Sequence, residues 1–293
     1  MPQLDRNDAS LYFEIRGHGQ PVLFIQGCGV TGSGWQPQVN ELCTEFQCLS
    51  FDNRGIGKSQ TTSSSLTVQQ MAEDALALID AMGWPMAHVV GHSLGGIIAQ
   101  QLALDAPKRI KSLSLLCTFS KGSEGGRITP FTVWMGIRTN IGSRAMRRRA
   151  FLQMLFPDDC LRSRNSKELA IELAPILGRD LADQPPILMK QVKALGKHDC
   201  SARLHELSQV PTLVVAAEKD PIAPPRFGRS LAQSISGASY IEIEDASHGV
   251  CLQEPVRINA LLRSHFRSAS HEFSSQPAPL NYKTEIERRG TYA

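Results

Sequence analysis

A serine between two glycines, in the segment Gly91-His92-Ser93-Leu94-Gly95, is the strongest candidate nucleophile in this sequence. The apolar run Ala87–Val90 predicts a short buried strand before it, and the residues from 96 to 104 show apolar positions at helical spacing after it. Ser93 therefore falls on a tight turn, where glycine neighbours permit a strained backbone and expose the hydroxyl. Free N–H groups at the start of the helix would face an oxyanion formed there.

A serine hydroxyl needs a histidine base and a carboxylate that orients that base. Of the eight histidines, His248 alone follows a strand-like run, Tyr240–Ile243, on a predicted loop. Two candidate acids, Glu218 and Asp220, follow the strand-like run 211–217. They lie two residues apart, so the pattern alone leaves the choice between them open.

The chain order of serine, acid and histidine resembles that of the α/β-hydrolase fold superfamily and differs from the orders in chymotrypsin-like and subtilisin-like proteases. The resemblance runs from about Leu11 to Phe266, and is to the branch of small esterases, enol-lactonases and carbon–carbon bond hydrolases. It implies Asp220 as the acid, because Asp220-Pro221-Ile222 matches the family's segment. It also supports His248, because Gln253-Glu254-Pro255 matches the pattern that follows the family's histidine.

The same resemblance implies two backbone N–H donors for an oxyanion, from Leu94 and Cys28. Cys28 lies in the segment Gln26–Gly29, where Gln26 replaces the histidine that relatives usually carry. The segment 52–59 resembles a family turn that supports the active-site face. The candidates for the substrate pocket are Gly27, Trp35 and His92, with Trp35 equally able to pack beneath the pocket.

Strand-like runs alternate with amphipathic helical patterns, which predicts an α/β fold, specifically the α/β-hydrolase fold with a mostly parallel central sheet flanked by helices. We predict a hydrolase core of residues 1–119 and 209–267, with a helical cap of residues 120–208 inserted in it. A C-terminal tail, residues 268–293, is expected to be flexible because its composition shifts to serine and proline. The clearest helix is Thr67–Met82, which a Thr67–Gln70 capping box begins.

The predicted cap follows from about ninety residues between two strands, far more than a crossover requires. Its expected helices are Arg144–Leu155, Ser166–Leu177 and Ile187–Leu195. Arg127–Arg149 contains six arginines and no acid. Such a run either attracts an anionic substrate or is a solvated helix face, and the sequence does not choose.

Composition excludes several classes of protein. The 31 basic and 28 acidic residues give a net charge of only +3, and no basic tract is interleaved with aromatics, so we expect no nucleic-acid partner. We expect no membrane span and no signal peptide. Seven scattered cysteines favour reduced thiols in the cytoplasm, with Cys28 either a reactive thiol or a small buried apolar residue. No metal or other cofactor is predicted, and a homodimer is left open.

The sequence therefore predicts a serine hydrolase that cleaves a small-molecule carboxylic ester or lactone through an acyl-enzyme. Carbon–carbon bond hydrolysis and perhydrolysis use the same residues and stay as alternatives. A ligand-binding receptor that keeps the three residues but has little turnover is the alternative from another class of protein.

Overall fold

The predicted strands form one sheet in the computed structural model, which describes residues 2–125 and 130–275. The described strands are β1 (Gln3–Arg6), β2 (Ala9–Arg16), β3 (Gln20–Ile25), β4 (Phe46–Phe51), β5 (Gln60–Thr61), β6 (Ala87–His92), β7 (Ile110–Leu116), β8 (Thr212–Ala217) and β9 (Ser239–Ile243). Their order is β1-β2-β4-β3-β6-β7-β8-β9, with β5 paired to β2.

All pairings from β4 to β9 along that order are parallel, whereas β1, β2 and β5 pair antiparallel. The predicted mostly parallel sheet is thus confirmed. The register sets the ends of neighbouring strands side by side, for instance Ile25 beside Gly91 and Ala217 beside Ile243. The loops that follow β3, β6, β8 and β9 consequently leave from one edge of the sheet, as expected for parallel strands.

The structure describes twelve helices, some of which cover the two faces of this sheet. They are α1 (Gln36–Leu42), α2 (Val68–Ala81), α3 (Leu94–Asp105), α4 (Gly122–Gly125), α5 (Pro130–Asn140), α6 (Arg144–Leu155), α7 (Asp158–Ser163), α8 (Ser166–Ile176), α9 (Leu188–Gly196), α10 (Pro225–Ser234), α11 (Val250–Gln253) and α12 (Pro255–Ser275). Short 3₁₀ turns lie at Gly32–Trp35, Pro107–Arg109 and Ser201–Gln209. No described helix is both long enough and apolar enough to cross a membrane.

Side chains of the central strands alternate between two cores. Leu23 and Ile25 of β3 pack with α2 and α3 on one face, whereas Val22 and Phe24 pack with α1 and α12 on the other. Alternate residues of a strand point to opposite faces, so a strand buried on both sides is apolar throughout. This explains why the central strands appear in the sequence as continuous apolar runs.

The helix predicted over Thr67–Met82 is present as α2. Thr67 is its N-cap, and the expected capping box with Gln70 is formed. Gly83, which follows the helix, has a positive φ of 65°. This conformation favours glycine and ends the helix.

The inserted segment, residues 117–211 between β7 and β8, contains helices α4 to α9. Its predicted helices match α6, α8 and α9 to within one residue at each end. It has a small apolar core of its own, made by residues such as Phe151, Leu152 and Leu173. Its Leu155 carbonyl accepts a hydrogen bond of 2.9 Å from the Gly249 N–H, so the segment contacts the loop that carries His248.

The predicted start of the tail at residue 268 is wrong for the residues that are described. Helix α12 continues to Ser275, and Ala269 is fully buried. The Ser270 hydroxyl contacts the Phe266 carbonyl at 2.7 Å and Gln20 Oε1 at 2.6 Å. Because the Ser270 hydroxyl finds hydrogen-bond partners within the fold, the helix can continue through a serine-rich segment whose composition resembles that of a linker. Residues 276–293, the rest of the predicted tail, lie outside the described residues.

A buried ion pair anchors the turn after β4. Asp74 of α2 accepts bidentate hydrogen bonds of 2.6 and 2.7 Å from Arg54 Nε and Nη2, and both side chains are almost fully buried. The neighbouring Asn53 donates a hydrogen bond of 3.0 Å from Nδ2 to the Gln26 carbonyl. Because Asn53 and Arg54 are adjacent, the ion pair helps to hold the loop after β3 in place.

We expect Asp74→Asn to lower the free energy of unfolding by about 3 kcal/mol, because it leaves the buried Arg54 charge without its main partner. Urea denaturation would measure the change. Asp80→Asn is the matched control, since Asp80 pairs with Arg109 at the surface and its loss is expected to cost less than about 1 kcal/mol. Equal losses in the two variants would contradict the role assigned to the buried pair.

Candidate active site

Ser93 lies on a strained turn between β6 and α3. Its φ of 56° and ψ of −120° are rare for a residue with a side chain. A Cβ on Gly91 would lie 2.3 Å from the Gly95 carbonyl oxygen, and one on Gly95 only 2.0 Å from the Ile25 carbonyl oxygen. Both glycines are therefore required by close backbone approaches. The Ser93 carbonyl is held at 2.8 Å by the Thr118 hydroxyl.

The structure brings the three predicted residues into one hydrogen-bonded chain. His248 Nδ1 lies 2.7 Å from Asp220 Oδ2, and His248 Nε2 lies 3.0 Å from Ser93 Oγ. An ionised carboxylate only accepts, so Nδ1 carries the proton and the Nε2 lone pair faces the serine hydroxyl. All three side chains are buried. This arrangement can withdraw a proton from Ser93.

Asp220 is held in its ionised form. Burial alone would raise its pKa, but the charge and hydrogen bond of His248 outweigh that effect and the pKa of Asp220 lies below its ordinary value. Its second oxygen, Oδ1, accepts hydrogen bonds of 2.8 Å from the Ile222 and Ala223 N–H groups. These contacts fix the carboxylate orientation. Glu218, the alternative acid, instead accepts from the Asp245 N–H at 2.9 Å on the exposed side of the loop.

His92 contacts the backbone of His248. Burial lowers the pKa of His92 to about 3, so its ring is neutral. Its Nε2 lies 2.8 Å from the His248 carbonyl and must donate to it. The two rings lie 4.8 Å apart. His92 thus positions the loop that carries His248.

The two predicted oxyanion donors are available. Leu94 is the first residue of α3, and Cys28 follows β3 in the segment Gln26–Gly29. Within residues 2–125 and 130–275, neither N–H donates a hydrogen bond to the protein. The role of both groups in catalysis stays a prediction.

A cavity of about 360 Å³ opens onto Ser93 and His248. Gly27 and His92, the pocket candidates, and Cys28 lie along it, and its remaining wall is largely apolar. That wall includes Met135, Phe151, Met154, Leu188 and Val192 of the inserted segment. Trp35 is a correction, because it is fully buried behind His92, with the two rings nearly perpendicular and 6.4 Å apart. It supports the wall but does not line the cavity.

One trio of side chains near the serine has metal-ligand types. The ligand atoms of His92, Cys117 and His248 lie within 4.8 Å of one another. Both His248 nitrogens and His92 Nε2 are already hydrogen-bonded, however, and burial raises the pKa of Cys117 well above its ordinary value. Cysteine binds a metal as its thiolate and histidine through a free nitrogen lone pair, so this trio is poorly suited to a cation.

The described arginines of the 127–149 run include two that are neutralised locally. Arg144 and Arg148 pair with Asp180 and Asp183, which favours the structural interpretation of that part of the run. Arg127 lies outside the described residues. No pattern in the sequence pointed to two other residues of the inserted segment, Arg179 and Gln191, which bond to Gly29 beside the predicted oxyanion donor. Their contacts span 150 residues or more of chain, and no local pattern encodes them.

Residues 20–255 match the family model described as alpha/beta hydrolase fold. The relative named "Putative carbamate hydrolase RutD" of Azorhizobium caulinodans is 31% identical over 262 residues, or 89% of this chain and 97% of that protein. The crystal structure of "Putative non-heme bromoperoxidase BpoC" from Mycobacterium tuberculosis H37Rv has a TM-score of 0.76 at 27% identity, with 88% and 96% coverage. An N-acyl homoserine lactone degrading enzyme has a TM-score of 0.75 at 25% identity, with 90% and 99% coverage.

This chain therefore belongs to the α/β-hydrolase family. The resemblance and the fold class predicted from the sequence are both confirmed. The fold and the comparisons support an enzyme of the α/β-hydrolase class.

The Cys28 thiol is predicted to be unreactive although it lines the cavity. Burial raises its pKa to about 12, so at pH 8 the reactive thiolate is on the order of 10⁻⁴ of the total. Cys28 and Cys160 are both half-buried, and we expect iodoacetamide to modify Cys28 at least about tenfold more slowly, with the Cys28 rate rising as the pH approaches its pKa. Peptide mass spectrometry would follow both sites. Equal rates at pH 8 would contradict this account.

Proposed function

We propose that this protein is a serine hydrolase that cleaves a carboxylic ester or lactone through an acyl-enzyme. The observation that carries the proposal is the continuous hydrogen-bonded chain from Asp220 through His248 to Ser93. It is supported by two unbonded backbone donors beside the serine, within the described residues. Together these groups supply a nucleophile, a base and a site for the oxyanion.

In the first half-reaction, Ser93 Oγ attacks the substrate carbonyl while His248 Nε2 takes its proton. Asp220 stabilises the imidazolium that forms, and the Leu94 and Cys28 N–H groups donate hydrogen bonds to the tetrahedral oxyanion. The intermediate collapses as the C–O bond to the leaving group breaks. His248 returns its proton to the departing oxygen, which leaves the acyl group on Ser93.

In the second half-reaction, His248 removes a proton from water, which attacks the acyl carbonyl. A second tetrahedral oxyanion forms in the same place, and its collapse breaks the bond to Ser93 Oγ. The proton on His248 returns to the serine oxygen. The carboxylic acid product leaves, and the site is restored.

We propose that the inserted segment acts as a cap over this site. Its apolar side chains form much of the cavity wall, and its Leu155 carbonyl bonds to the loop of His248. The volume of about 360 Å³ is at the small end of ligand pockets. A short apolar acyl or alcohol group therefore fits best.

A carbamate is the second candidate substrate, because the 31% identical relative is named as a carbamate hydrolase. A carbamate carbonyl undergoes the same attack and needs no further catalytic group. The lactone alternative has support from the lactone-degrading structural relative. A panel containing p-nitrophenyl esters of increasing length, acyl homoserine lactones and an aryl carbamate would rank the three classes by kcat/KM.

We expect Ser93→Ala to lower kcat for the best substrate by a factor on the order of 10⁴ or more, since the nucleophile is lost. Asp220→Asn is expected to cause a loss on the order of 10⁴, because an amide favours the wrong histidine tautomer. Glu218→Gln is the matched control and is expected to retain kcat within about twofold, because Glu218 lies outside the hydrogen-bonded chain. Turnover is measured by release of p-nitrophenol.

Retained turnover in Ser93→Ala would contradict the proposal, and a larger loss in Glu218→Gln than in Asp220→Asn would reassign the acid. Activity only in carbon–carbon bond hydrolysis or in perhydrolysis would keep the three residues but change the reaction. Tight ligand binding with a large thermal shift and negligible turnover would favour a receptor.

A further inference from the structure

Three successive N–H groups after β3 have different partners. The Gly27 N–H donates to Gln26 Oε1 at 2.8 Å, and the Gly29 N–H donates to Gln191 Oε1 at 2.8 Å. The Cys28 N–H between them has no protein acceptor among the described residues. Two glutamine side chains thus occupy the flanking donors and leave the central donor for an oxyanion. Gln26, the residue that departs from the family pattern, thus accepts the hydrogen bond of the Gly27 N–H.

Gln191 comes from the inserted segment. It lies on α9, is fully buried, and bonds to Gly29 across 162 positions of the sequence. Its Nε2 is buried and has no hydrogen-bond partner within residues 2–125 and 130–275. An unpaired buried amide costs stability, which an apolar side chain of the same size would avoid. Folding stability alone therefore does not account for a glutamine here, whereas acceptance of the Gly29 N–H does.

The inserted segment holds the other side of Gly29 as well. Arg179, which follows α8, donates from Nε to the Gly29 carbonyl at 3.1 Å. A Cβ on Gly29 would lie 3.2 Å from Leu188 Cδ1 and 3.6 Å from Pro185, and Gly29 has a φ of 68°. The inserted segment thus bonds to the N–H and the carbonyl of one residue, and it occupies the space beside the position that a Cβ would take. The peptide that follows Cys28 has little freedom while the segment is in place.

We propose that Gln191, together with Arg179, positions the Cys28 N–H, so that the oxyanion hole is complete only when the inserted segment is docked on the core. Gln191 is a positioning residue, because it acts through Gly29. The inference rests on the proposed function, since it concerns a donor to the oxyanion of that reaction. Loss of the Gln191 acceptor frees the Gly29 peptide to rotate and moves the donor that precedes it.

The test compares Gln191→Met, which removes the acceptor at similar length, with Gln191→Glu, which keeps an oxygen acceptor. Lys193→Met, on the exposed side of the same helix, is the matched control. The full-length variants, wild type and Ser93→Ala are assayed for kcat and KM on a p-nitrophenyl ester. Each is also assayed for inhibition by an alkyl boronic acid, which forms a tetrahedral adduct on a serine, and for melting temperature.

We expect Gln191→Met to lower kcat by roughly 10-fold to 100-fold, somewhat less than removal of an oxyanion donor, with KM changed less than about twofold. The boronic acid inhibition constant should rise by the same factor, because the adduct places an oxygen in the hole. The melting temperature should change little, because removal of the unpaired Gln191 amide offsets the loss of the acceptor for the Gly29 N–H. Gln191→Glu should recover at least about fivefold of the lost kcat. Lys193→Met should match wild type.

Wild-type kcat in Gln191→Met would overturn the positioning role, and so would an equal loss in Gln191→Glu. A fall in melting temperature with a parallel rise in KM would also overturn it in favour of a purely structural role. Failure of the proposed function has a different signature. In that case wild type would show neither ester turnover nor boronic acid binding above Ser93→Ala, and both proposals would fall.

Discussion

The backbone at Ser93 is the constraint on which the rest of this structure depends. A residue with φ of 56° between a strand and a helix is tolerated only because two glycines let the turn close against Ile25 and against itself. The turn exposes the serine hydroxyl and directs the first N–H of α3 to the same place. The other groups of the site must converge on this turn. They can do so because His248, Asp220 and the segment Gln26–Gly29 lie on loops that follow parallel strands at the same edge of the sheet.

Much of the fold and of the site was predictable from the sequence, because loops that follow parallel strands of one sheet meet at the same edge. Once Ser93, Asp220 and His248 are assigned to loops after parallel strands, their convergence follows from the fold. Helix α2 and three helices of the inserted segment, α6, α8 and α9, were also predicted closely, because apolar spacing and the breaks between helices are local signals. The choice between Glu218 and Asp220 rested on resemblance, and the geometry places Asp220 against the histidine.

Other features could not be found from the sequence, because they depend on contacts between distant residues. Gln191 and Gly29 form a bond that no spacing rule encodes, and Trp35 proved to lie behind His92 because of packing across α1 and β3. The start of the tail was misplaced because α12 satisfies its serines internally. These contacts connect the inserted segment to the site, so residues far apart in the sequence determine much of the cavity wall and the surroundings of one oxyanion donor.

The central claim is that His248 and Asp220 activate Ser93, and covalent labelling with a fluorophosphonate tests it most directly. Intact mass and peptide mapping would give the stoichiometry and the site of the adduct, independently of the natural substrate. The account predicts one adduct per chain, on Ser93, with labelling slowed at least about a hundredfold by Asp220→Asn and unaffected by Glu218→Gln. Labelling of another residue, or an Asp220→Asn rate equal to wild type, would contradict it.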